Sequence, residues 1–519
     1  MANILFNTQF AWPFSAVDMA LAKALALRGQ TVRVLLCGGL PRYCEQQIHF
    51  SDRPSCADCV EWAQAQCRRY GLEPVFQCQH YDEADVRYAS DIAETMPVRE
   101  LLDLTLHAVP IGTRSRYNLL HHDRRFPHEI TGQTEELFRR IVHSAILMTL
   151  GVSRIIDELR IDAVVSADGK FAQWSAPVQI AKARGLTMMT WDDMYRKDVP
   201  HNIFFSLNDI AGEMRLDGIW ESRSGRPLSA RQQTAVHDYY LSWSRGETSP
   251  YDYHQGSRHE APEVLRERLG IPQGAPLVAA FPNMLCDGAV LGIEAGFSSI
   301  FHWLGAIIDE ARKRPHIAFV IRSHPGEAKV EQEYNRCRIC TELQERHGPF
   351  PPNLHCLPGE ADVSSYALCE AADAALVYAS TLGLELALRG TRPWVSANVY
   401  YAGKGFTLDV MNPETLASAL DGTLPDKRLP AEAVEQAERF AYALQFERGF
   451  DFPLQAAEQA AAEGRWEFFQ AGGHPVLEEV AAALLHDVEA NPEKTPRPVC
   501  HEAEASPTRA EDSNALPAR

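Results

Sequence analysis

The start of the chain alternates between two hydrophobic patterns. Ile4–Phe6 and Thr31–Leu36 are short, largely apolar runs, which is typical of strands buried on both faces. Between them, Ser15–Arg28 repeats its apolar residues at helical spacing, and the Gly29 that follows is a common helix-terminating residue. The pattern predicts a strand, a helix and a parallel strand, the opening unit of a doubly wound sheet.

The same alternation returns later in the first half of the chain. Asp162–Ser166 and Leu186–Thr190 predict two further strands, and Ala172–Ala183 between them predicts a helix. The segment Tyr81–Arg140 is less regular and carries many charges and histidines. We interpret it as a helix-rich insertion in the first unit.

A second α/β alternation follows a polar stretch punctuated by Gly, Ser and Pro. Its predicted strands are Pro276–Phe281, His316–Ile321, Asn353–Leu357, Ala374–Tyr378 and Pro393–Ser396. Its predicted helices are Ile300–Lys313, Val363–Ala372 and Leu382–Arg389. Two such units in tandem, without a Walker A lysine loop, predict an α/β protein of two Rossmann-like lobes with a cleft between them.

The composition along the chain sets the expected domain boundaries. We expect an N-terminal lobe at 1–207, a linker region at 208–274 and a C-terminal lobe at 275–425, followed by additional helices at 426–490. The final stretch, 491–519, is rich in Pro, Glu and Ser and has almost no large apolar residues. Such a segment cannot bury enough surface to fold, so we predict a disordered tail.

Charge and hydropathy exclude several classes of protein. Lys and Arg number 50 against 69 Asp and Glu, a formal net charge of −19. That surplus argues against a nucleic-acid partner and against a polybasic membrane anchor. The N-terminus lacks the pattern of a signal peptide, and no apolar run approaches the roughly 18 residues of a membrane span. We therefore expect a cytoplasmic protein, and peripheral docking on an inner-membrane complex stays open.

Twelve cysteines are present, and six of them fall within the first 78 residues. In a large chain without a secretion signal we expect reduced thiols or metal ligands rather than a disulfide framework. Cys56 and Cys59 form a Cys-x-x-Cys pair with Cys44 and Cys67 on either side, which leaves a structural zinc site and buried free thiols as alternatives. Cys337-x-x-Cys340 is a second, isolated pair.

Two segments place polar side chains at predicted strand ends. In the first, a strand runs into Arg322-Ser323-His324, and Pro325 then turns the chain. In the second, a strand runs into Ser380-Thr381 directly before a helix. Ligands of open α/β sheets bind at the carboxyl ends of strands, and cationic, hydroxyl and helix-terminal N–H groups there suit a phosphate.

Each segment also has a simpler interpretation. His324 then belongs to a structural loop, and Ser380 only caps its helix. Glu385, one turn into that helix, either accepts from ribose hydroxyls or lies elsewhere. It is the order of the two segments on neighbouring strands that favours the ligand-binding interpretation.

The order of these motifs carries a resemblance. Arg-Ser-His-Pro at 322–325, then Ser380–Val395, then Tyr400–Thr407 resembles the capsule polysaccharide biosynthesis family, which includes bacterial Kdo transferases and is similar in outline to bacterial sialyltransferases. The resemblance covers mainly Pro276–Thr407. It implies the glycosyltransferase-B (GT-B) fold and transfer of a sugar from a nucleotide-sugar to a surface glycan or a lipid-linked acceptor.

The resemblance also implies site residues. His324 and Pro325 match the family's His-Pro motif at the donor phosphate, and Ser380 and Thr381 match its serine motif at the same nucleotide. Lys404 stands where the family usually has an aromatic residue. The donor site predicted from the strand ends and the resemblance together comprises Arg322, Ser323, His324, Pro325, Tyr378, Ser380, Thr381, Gly383, Glu385 and Lys404.

Sugar transfer to a hydroxyl requires a base that removes its proton. In the GT-B fold this base usually comes from the N-terminal lobe, so we expect Asp168 at a strand end, or else Asp192 and Asp193 after the next strand. Asp287, after the first strand of the C-terminal lobe, is a further candidate for contact with either substrate. Aspartates at such positions are otherwise turn and cap residues.

Three functions fit these features. The first is a glycosyltransferase that needs no bound metal and whose N-terminal lobe, with the insertion, faces the acceptor. Arg114 and Arg116 then hold an anionic acceptor or lie on a solvated face. The second is a nucleotide-sugar 2-epimerase of the same fold, and the third is a non-catalytic scaffold in polysaccharide assembly.

Overall fold

The computed structural model describes most of the chain. The described residues are 1–8, 14–39, 42–44, 55–123, 130–194, 196, 198–213, 220–221, 223–244, 258–285, 287–329, 337–490, 494 and 497–499. They form two sheets with helices on both faces, so the predicted fold class of two Rossmann-like α/β lobes is confirmed.

The N-terminal sheet is built around five parallel strands. In chain order these are β1 Asn3–Asn7, β2 Thr31–Leu36, β3 Glu73–Phe76, β4 Ala163–Ala167 and β5 Thr187–Asp193. β6 (Asn202–Leu207) pairs antiparallel with β5. The spatial order is β6-β5-β4-β1-β2-β3.

Successive residues of these strands point to opposite faces, and each face is covered by helices. Ile4 and Phe6 pack in one core cluster and Leu5 in the other. The helices of this half are α1 Phe14–Leu27, α2 Cys56–Tyr70, α3 Glu83–Thr95, α4 Val98–Leu102, α5 Ile111–Asp123, α6 Gly132–Glu158 and α7 Ala172–Ala183. Short 3₁₀ turns lie at Gln77–Gln79 and Ala211–Glu213.

The C-terminal sheet is parallel throughout. Its strands are β7 Leu277–Phe281, β8 Ala318–Arg322, β9 Leu354–Leu357, β10 Ala374–Val377, β11 Pro393–Val395 and β12 Leu408–Asp409. Their spatial order is β12-β11-β10-β7-β8-β9. The four longer predicted strands of this lobe match β7 to β10 to within two residues at each end.

Helices cover both faces of this second sheet. They are α8 Ala230–Ser244, α9 Pro262–Arg268, α10 Ile300–Lys313, α11 Gly326–Lys329, α12 Ile339–His347, α13 Ser365–Ala371, α14 Leu382–Leu388, α15 Pro413–Leu420 and α16 Ala431–Tyr442. A 3₁₀ turn lies at Gly288–Val290, and Ala443–Glu447 continues α16 as a π turn. Leu120 and Phe171 of the N-terminal lobe pack in one of this lobe's core clusters.

The chain returns to the N-terminal lobe after α16. The remaining elements are β13 Gly449–Asp451, α17 Leu454–Glu463, the 3₁₀ turn Trp466–Phe469, α18 Pro475–Ala490 and β14 Arg497–Val499. β13 and β14 both pair antiparallel with β6. Buried Asp487 of α18 accepts hydrogen bonds from Thr187 Oγ1 at 3.1 Å and Asn208 Nδ2 at 3.0 Å. The additional helices predicted at 426–490 are therefore shared between the two lobes.

Two predicted segments contain regular elements. Within the stretch expected to be a linker region, 208–274, α8 and α9 are helices, and Val236, Tyr239 and Tyr240 of α8 pack in the C-terminal core. Within the predicted disordered tail, Arg497–Val499 is a strand because its backbone completes the edge of β6. The tail segments 491–493, 495–496 and 500–519 lie outside the described residues.

Two further observations concern cysteines and hydropathy. Cys340 and Cys356 form a disulfide that joins α12 to β9, so the expectation of reduced or metal-binding cysteines is wrong for these two. The two sulfurs meet because α12 packs beside the strand that follows it, a neighbourhood that sequence spacing does not reveal. No helix among the described residues is long and apolar enough to cross a membrane.

Candidate functional site

The strand orders locate a crevice in each lobe. In the C-terminal sheet β7 lies between β8 and β10, so the chain order reverses between β7 and β10. In the N-terminal sheet the same reversal lies between β1 and β4. Ligands of doubly wound sheets bind at such switch points, beyond the carboxyl ends of the strands. The residues that follow β1, β4, β7 and β10 are therefore the first to consider.

A buried polar network fills the N-terminal switch point. Asn7 Nδ2 donates to Ser166 Oγ at 3.0 Å, which links the ends of β1 and β4. Asp18 of α1 accepts from Thr8 Oγ1 at 2.8 Å and from Trp191 Nε1 at 2.7 Å. Burial raises the pKa of Asp18 to about 7, although both hydrogen bonds oppose that rise.

Three aspartates cluster at the ends of β4 and β5. Ala167 pairs with Trp191 in the sheet register, so Asp168 and Asp192 follow on neighbouring strands. Burial raises the pKa of all three carboxyls, and the charges of Asp168 and Asp193 raise the pKa of Asp192 further. A carboxylate with a raised pKa accepts a proton more readily, so the cluster suits a general base.

Lys170 joins this cluster to the opposite lobe. Its side chain is 3% exposed, and Nζ donates to the Gly288 carbonyl at 2.7 Å. Burial lowers the Lys170 pKa, while the charges of Asp168, Asp287 and Glu213 oppose that change. The loop after β4 and the loop after β7 are therefore in direct contact, and the two crevices face each other.

Arg114 supports the same junction from α5. It is 7% exposed, donates to the Lys170 carbonyl at 3.0 Å and pairs with Glu213 at 2.9 Å. Neither alternative considered for Arg114, an anion ligand or a solvated face, fits this placement, because its charge is buried and paired. Arg116, on the same helix, is half-buried.

The C-terminal switch point is organised by an asparagine. Asn283 Nδ2 donates to Asp287 Oδ2 at 2.8 Å and to the Ala379 carbonyl at 3.3 Å. Asp287 in turn accepts from the Ala289 amide at 2.9 Å, which caps the 3₁₀ turn beside Lys170. The loops after β7 and β10 are thus held together, and Asp287 lies between the lobes.

Ser380 and Thr381 stand at the end of β10. Ser380 Oγ accepts from the Leu382 amide at 3.2 Å, as a helix cap does, and Tyr401 donates from its hydroxyl to the Ser380 carbonyl at 2.5 Å. A Cβ at Gly383 would overlap that tyrosine hydroxyl, so glycine permits the contact. Thr381 is exposed at the crevice.

Glu385 faces the interior of the lobe. It is 3% exposed, accepts from the Tyr366 hydroxyl at 2.6 Å and lies 3.5 Å from Thr381 Oγ1. Burial raises its pKa. The expected contact with ribose hydroxyls does not fit this placement, because the carboxyl is enclosed and satisfied by the protein.

Arg322 has a structural role instead of the expected phosphate contact. Its side chain is 1% exposed, and burial lowers its pKa to about 10. A guanidinium has five N–H donors, and all of them point at main-chain carbonyls. The acceptors are the carbonyls of Ser323, Pro358, Gly359, Ala361 and Val363. Arg322 therefore fixes the loop after β9 and has no donor left for a ligand.

The remaining residues of the His-Pro segment follow β8, one strand away from the switch point. The two motif segments are therefore not on neighbouring strands as expected, because β7 lies between β8 and β10. Ser323 is buried, and its Oγ lies 3.6 Å from Cys340 Sγ. His324 is half-buried, and its Nδ1 accepts from the Gly326 amide at 3.0 Å, which places the proton of the neutral ring on Nε2. Pro325 is buried and precedes α11. Of this segment, only His324 reaches the protein surface.

The two other predicted donor contacts lie apart from the crevice edge. Tyr378 is buried against Trp303, with ring centroids 5.4 Å apart, so it belongs to the core. Lys404 is half-buried in the turn between β11 and β12.

The predicted metal-binding pair lies on one helix. Cys56 begins α2 and is exposed, and Cys59 is half-buried on the same helix.

Sequence patterns did not identify three residues of the site. Asn7 ends a buried strand, and Lys170 and Asn283 each lie in the loop after one; this position at a strand end was the available sequence signal. Which strands adjoin a switch point depends on sheet order, and sheet order is set by long-range pairing rather than by local pattern. The three residues are therefore visible only in the folded chain.

Comparisons with known proteins give remote likenesses. No family model matches the chain. No curated protein matches it either. Among solved structures, the KpsC β-Kdo 2,4-transferase of Thermosulfurimonas dismutans is 13% identical over 54% of this chain and 79% of that chain, with a TM-score of 0.33. The KpsC β-Kdo 2,7-transferase of that organism is 12% identical over 56% and 79%, with a TM-score of 0.31.

A UDP-GlcNAc 2-epimerase of Neisseria meningitidis, solved with UDP-GlcNAc, is 10% identical over 90% of this chain and all of that chain, with a TM-score of 0.22. These solved structures thus include two Kdo transferases and an epimerase. At these values the likeness carries no argument about activity. The assignment of two Rossmann-like α/β lobes rests on the sheets described above.

Proposed function

We propose that the chain is a glycosyltransferase that moves a sugar from a nucleotide-sugar to a growing surface polysaccharide or a lipid-linked glycan. One observation carries the proposal. The hydrogen bond from Lys170 Nζ to the Gly288 carbonyl brings the strand ends of both lobes to one crevice, with carboxyls on one side and hydroxyl and amide groups on the other. The motif resemblance adds the polysaccharide context.

The C-terminal side of the crevice suits the donor. Thr381 is exposed there beside Ser380. Asn283 donates hydrogen bonds to Asp287 and to the Ala379 carbonyl, which holds the loops after β7 and β10 together. Hydroxyl and backbone N–H donors at this edge would bind the leaving phosphate and stabilise its developing charge. In this proposal the donors of the protein, rather than a resident metal, supply that stabilisation.

The N-terminal side suits proton transfer. The acceptor hydroxyl oxygen would form a bond to the anomeric carbon while the bond from that carbon to the phosphate oxygen breaks. The hydroxyl proton would pass to the Asp168 and Asp192 pair, whose pKa values are raised by burial. Lys170 would keep the pair in place against the opposite lobe.

The three clustered carboxyls also fit a second function. A nucleotide-sugar 2-epimerase needs several acid and base groups beside the same phosphate site, and Asp168, Asp192 and Asp193 meet that need. An epimerase acts on the nucleotide-sugar alone, whereas a transferase requires an acceptor. The two functions therefore differ in what the donor does without an acceptor.

Product analysis separates these functions. Purified protein is incubated with CMP-, UDP-, GDP- and dTDP-sugars, alone and with glycan acceptors, and the nucleotides and sugars are resolved by chromatography and mass spectrometry. We expect nucleotide release and a glycan longer by one sugar only when donor and acceptor are both present. A new epimer formed from the donor alone would replace the transferase proposal with the epimerase.

A variant of the base tests the assignment of roles. Asp168→Asn should lower acceptor-dependent nucleotide release by at least about 100-fold, as loss of a general base does. Asp198→Asn, which changes an exposed aspartate paired with Arg196, is the matched control and should leave release unchanged. Equal rates for Asp168→Asn and the unmodified protein would remove Asp168 from the reaction.

A further inference from the structure

Four cysteines surround the end of β2, remote in sequence from the proposed donor site. The Gly39 amide lies 3.4 Å from Cys37 Sγ, as in an N–H to sulfur hydrogen bond. A Cβ at Gly38 would overlap Cys78 Sγ, and a Cβ at Gly39 would lie 3.3 Å from Cys56 Cβ. Both glycines have positive φ, +81° and +92°. Residues 37–39 thus lie against Cys78 and Cys56. A side chain at position 38 or 39 would occupy or crowd the space that these cysteines fill.

The surrounding elements hold these cysteines in register. Cys37 follows β2, and Cys78 lies in the 3₁₀ turn after β3, the strand paired with β2. Cys56 and Cys59 occupy the first turn of α2, three residues apart and so on one face. Ser55 and Asp58 form a capping box that fixes this first turn.

Cys37 lies within electrostatic range of Cys59, Cys56 and Cys78. A divalent cation bound among these four sulfurs would stabilise them directly as thiolates.

We propose that Cys37, Cys56, Cys59 and Cys78 bind one thiophilic divalent cation of the Zn²⁺ type. Among the described residues no group of three or more His, Cys, Asp or Glu side chains already stands in place for a metal ion. The thiols therefore turn toward one another when the ion binds, and each gives its proton to solvent. The site extends the Cys56 and Cys59 pair by two ligands that no sequence motif links to it.

Four thiolates fill the coordination sphere of Zn²⁺, which makes the site structural. It joins the ends of β2 and β3 to the start of α2. This inference is independent of the proposed sugar transfer, because none of the four cysteines follows β1, β4, β7 or β10.

Metal analysis tests the site. The full-length protein is purified from zinc-supplemented medium without chelator, dialysed, and measured by inductively coupled plasma mass spectrometry beside two variants. We expect about one zinc per chain in the unmodified protein and in Cys67→Ala, and at least a tenfold loss in Cys56→Ser/Cys59→Ser. Cys67 is the matched control, since it lies on the same helix but is buried in the core.

A second measurement needs no variant. The unmodified protein is treated with iodoacetamide, with and without prior removal of metal by a chelator, and the labelled cysteines are identified by mass spectrometry. We expect the four cysteines to be protected until the chelator is added. Absence of zinc with labelling unaffected by the chelator would overturn the proposal, as would iron with acid-labile sulfide, which indicates an iron–sulfur cluster.

Discussion

Individual charged residues around the crevice are buried, and each has specific partners. Asp18 is held by Thr8 and Trp191, Lys170 by Gly288, and Arg114 by Glu213. Burying such groups is costly unless they are paired, so packing alone does not account for their presence at the switch points. The protein itself therefore holds the ionisable side chains around the crevice in position.

Asp18 makes stability depend on pH. Its pKa is about 7 in the folded protein and 3.8 as the reference value, so the folded state binds its proton more tightly. Stability should therefore fall as pH rises from about 4 to 7, by roughly 1.4 kcal/mol per pH unit at most, and then level off. We expect Asp18→Asn to reduce this slope.

Thermal melting at pH 5 and pH 8 measures the effect of Asp18. The difference between the two midpoints should be smaller in Asp18→Asn than in the unmodified protein. Exposed Asp198→Asn serves as the control and should keep the original difference. An unchanged difference in Asp18→Asn would show that Asp18 does not bind a proton in this range.

Lys170 is expected to hold the lobes together. Lys170→Met leaves the Gly288 carbonyl and the neighbouring carboxylates without their partner, which should cost about 3–5 kcal/mol. Lys182→Met, at an exposed position on α7, should cost less than about 0.5 kcal/mol. Chemical unfolding compares the two, and equal stabilities would contradict the role given to Lys170.

At the scale of elements, the proposed function depends on strand ends and the loops that follow them. β4, β7 and β10 deliver Asp168, Asn283 and Thr381 to one crevice. β8, one position away, ends in Arg322, which stabilises the neighbouring loop instead. In this proposal, position in the sheet separates the loops that bind the ligand from the loops that support them.

The supporting role of Arg322 has a distinct signature. Lys offers three donors in place of five, so Arg322→Lys should lower the free energy of unfolding by about 2–4 kcal/mol. The stabilisation by a bound nucleotide should persist, because Arg322 has no donor directed at the crevice. Arg312→Lys, at an exposed site on α10, is the control.

Differential scanning fluorimetry with and without nucleotide measures both quantities for Arg322→Lys. A variant that melts at the original temperature but no longer responds to nucleotide would indicate direct phosphate binding. Such a result would restore the interpretation based on the sequence motif.

The sequence predicted the elements well because their signals are local. β7 to β10 follow from apolar runs, and α7 and α10 have the predicted bounds. The sequence could not reveal that Arg322 donates all its hydrogen bonds to main-chain carbonyls or that the Glu385 side chain is enclosed in the lobe. Both features depend on long-range packing. β13 and β14 are short and gain their stability from β6, so no local pattern marks them.

At the scale of the molecule, the two lobes form one functional unit. α17 and α18 return to the N-terminal lobe after the C-terminal lobe is complete, so the chain crosses between the lobes twice. The loops after β4 and β7 meet between them. The central claim is that the crevice so formed binds a nucleotide-sugar through its C-terminal side.

A thermal-shift panel tests this claim most directly. CMP, UDP, GDP and dTDP are added to the unmodified protein, to Thr381→Val, and to Thr234→Val as a control at an exposed helical threonine. A ligand that binds only the folded state raises the melting temperature. We predict that one nucleotide stabilises the unmodified protein and Thr234→Val, and that the shift is much smaller in Thr381→Val. No shift with any nucleotide, or an equal shift in all three proteins, would contradict the account.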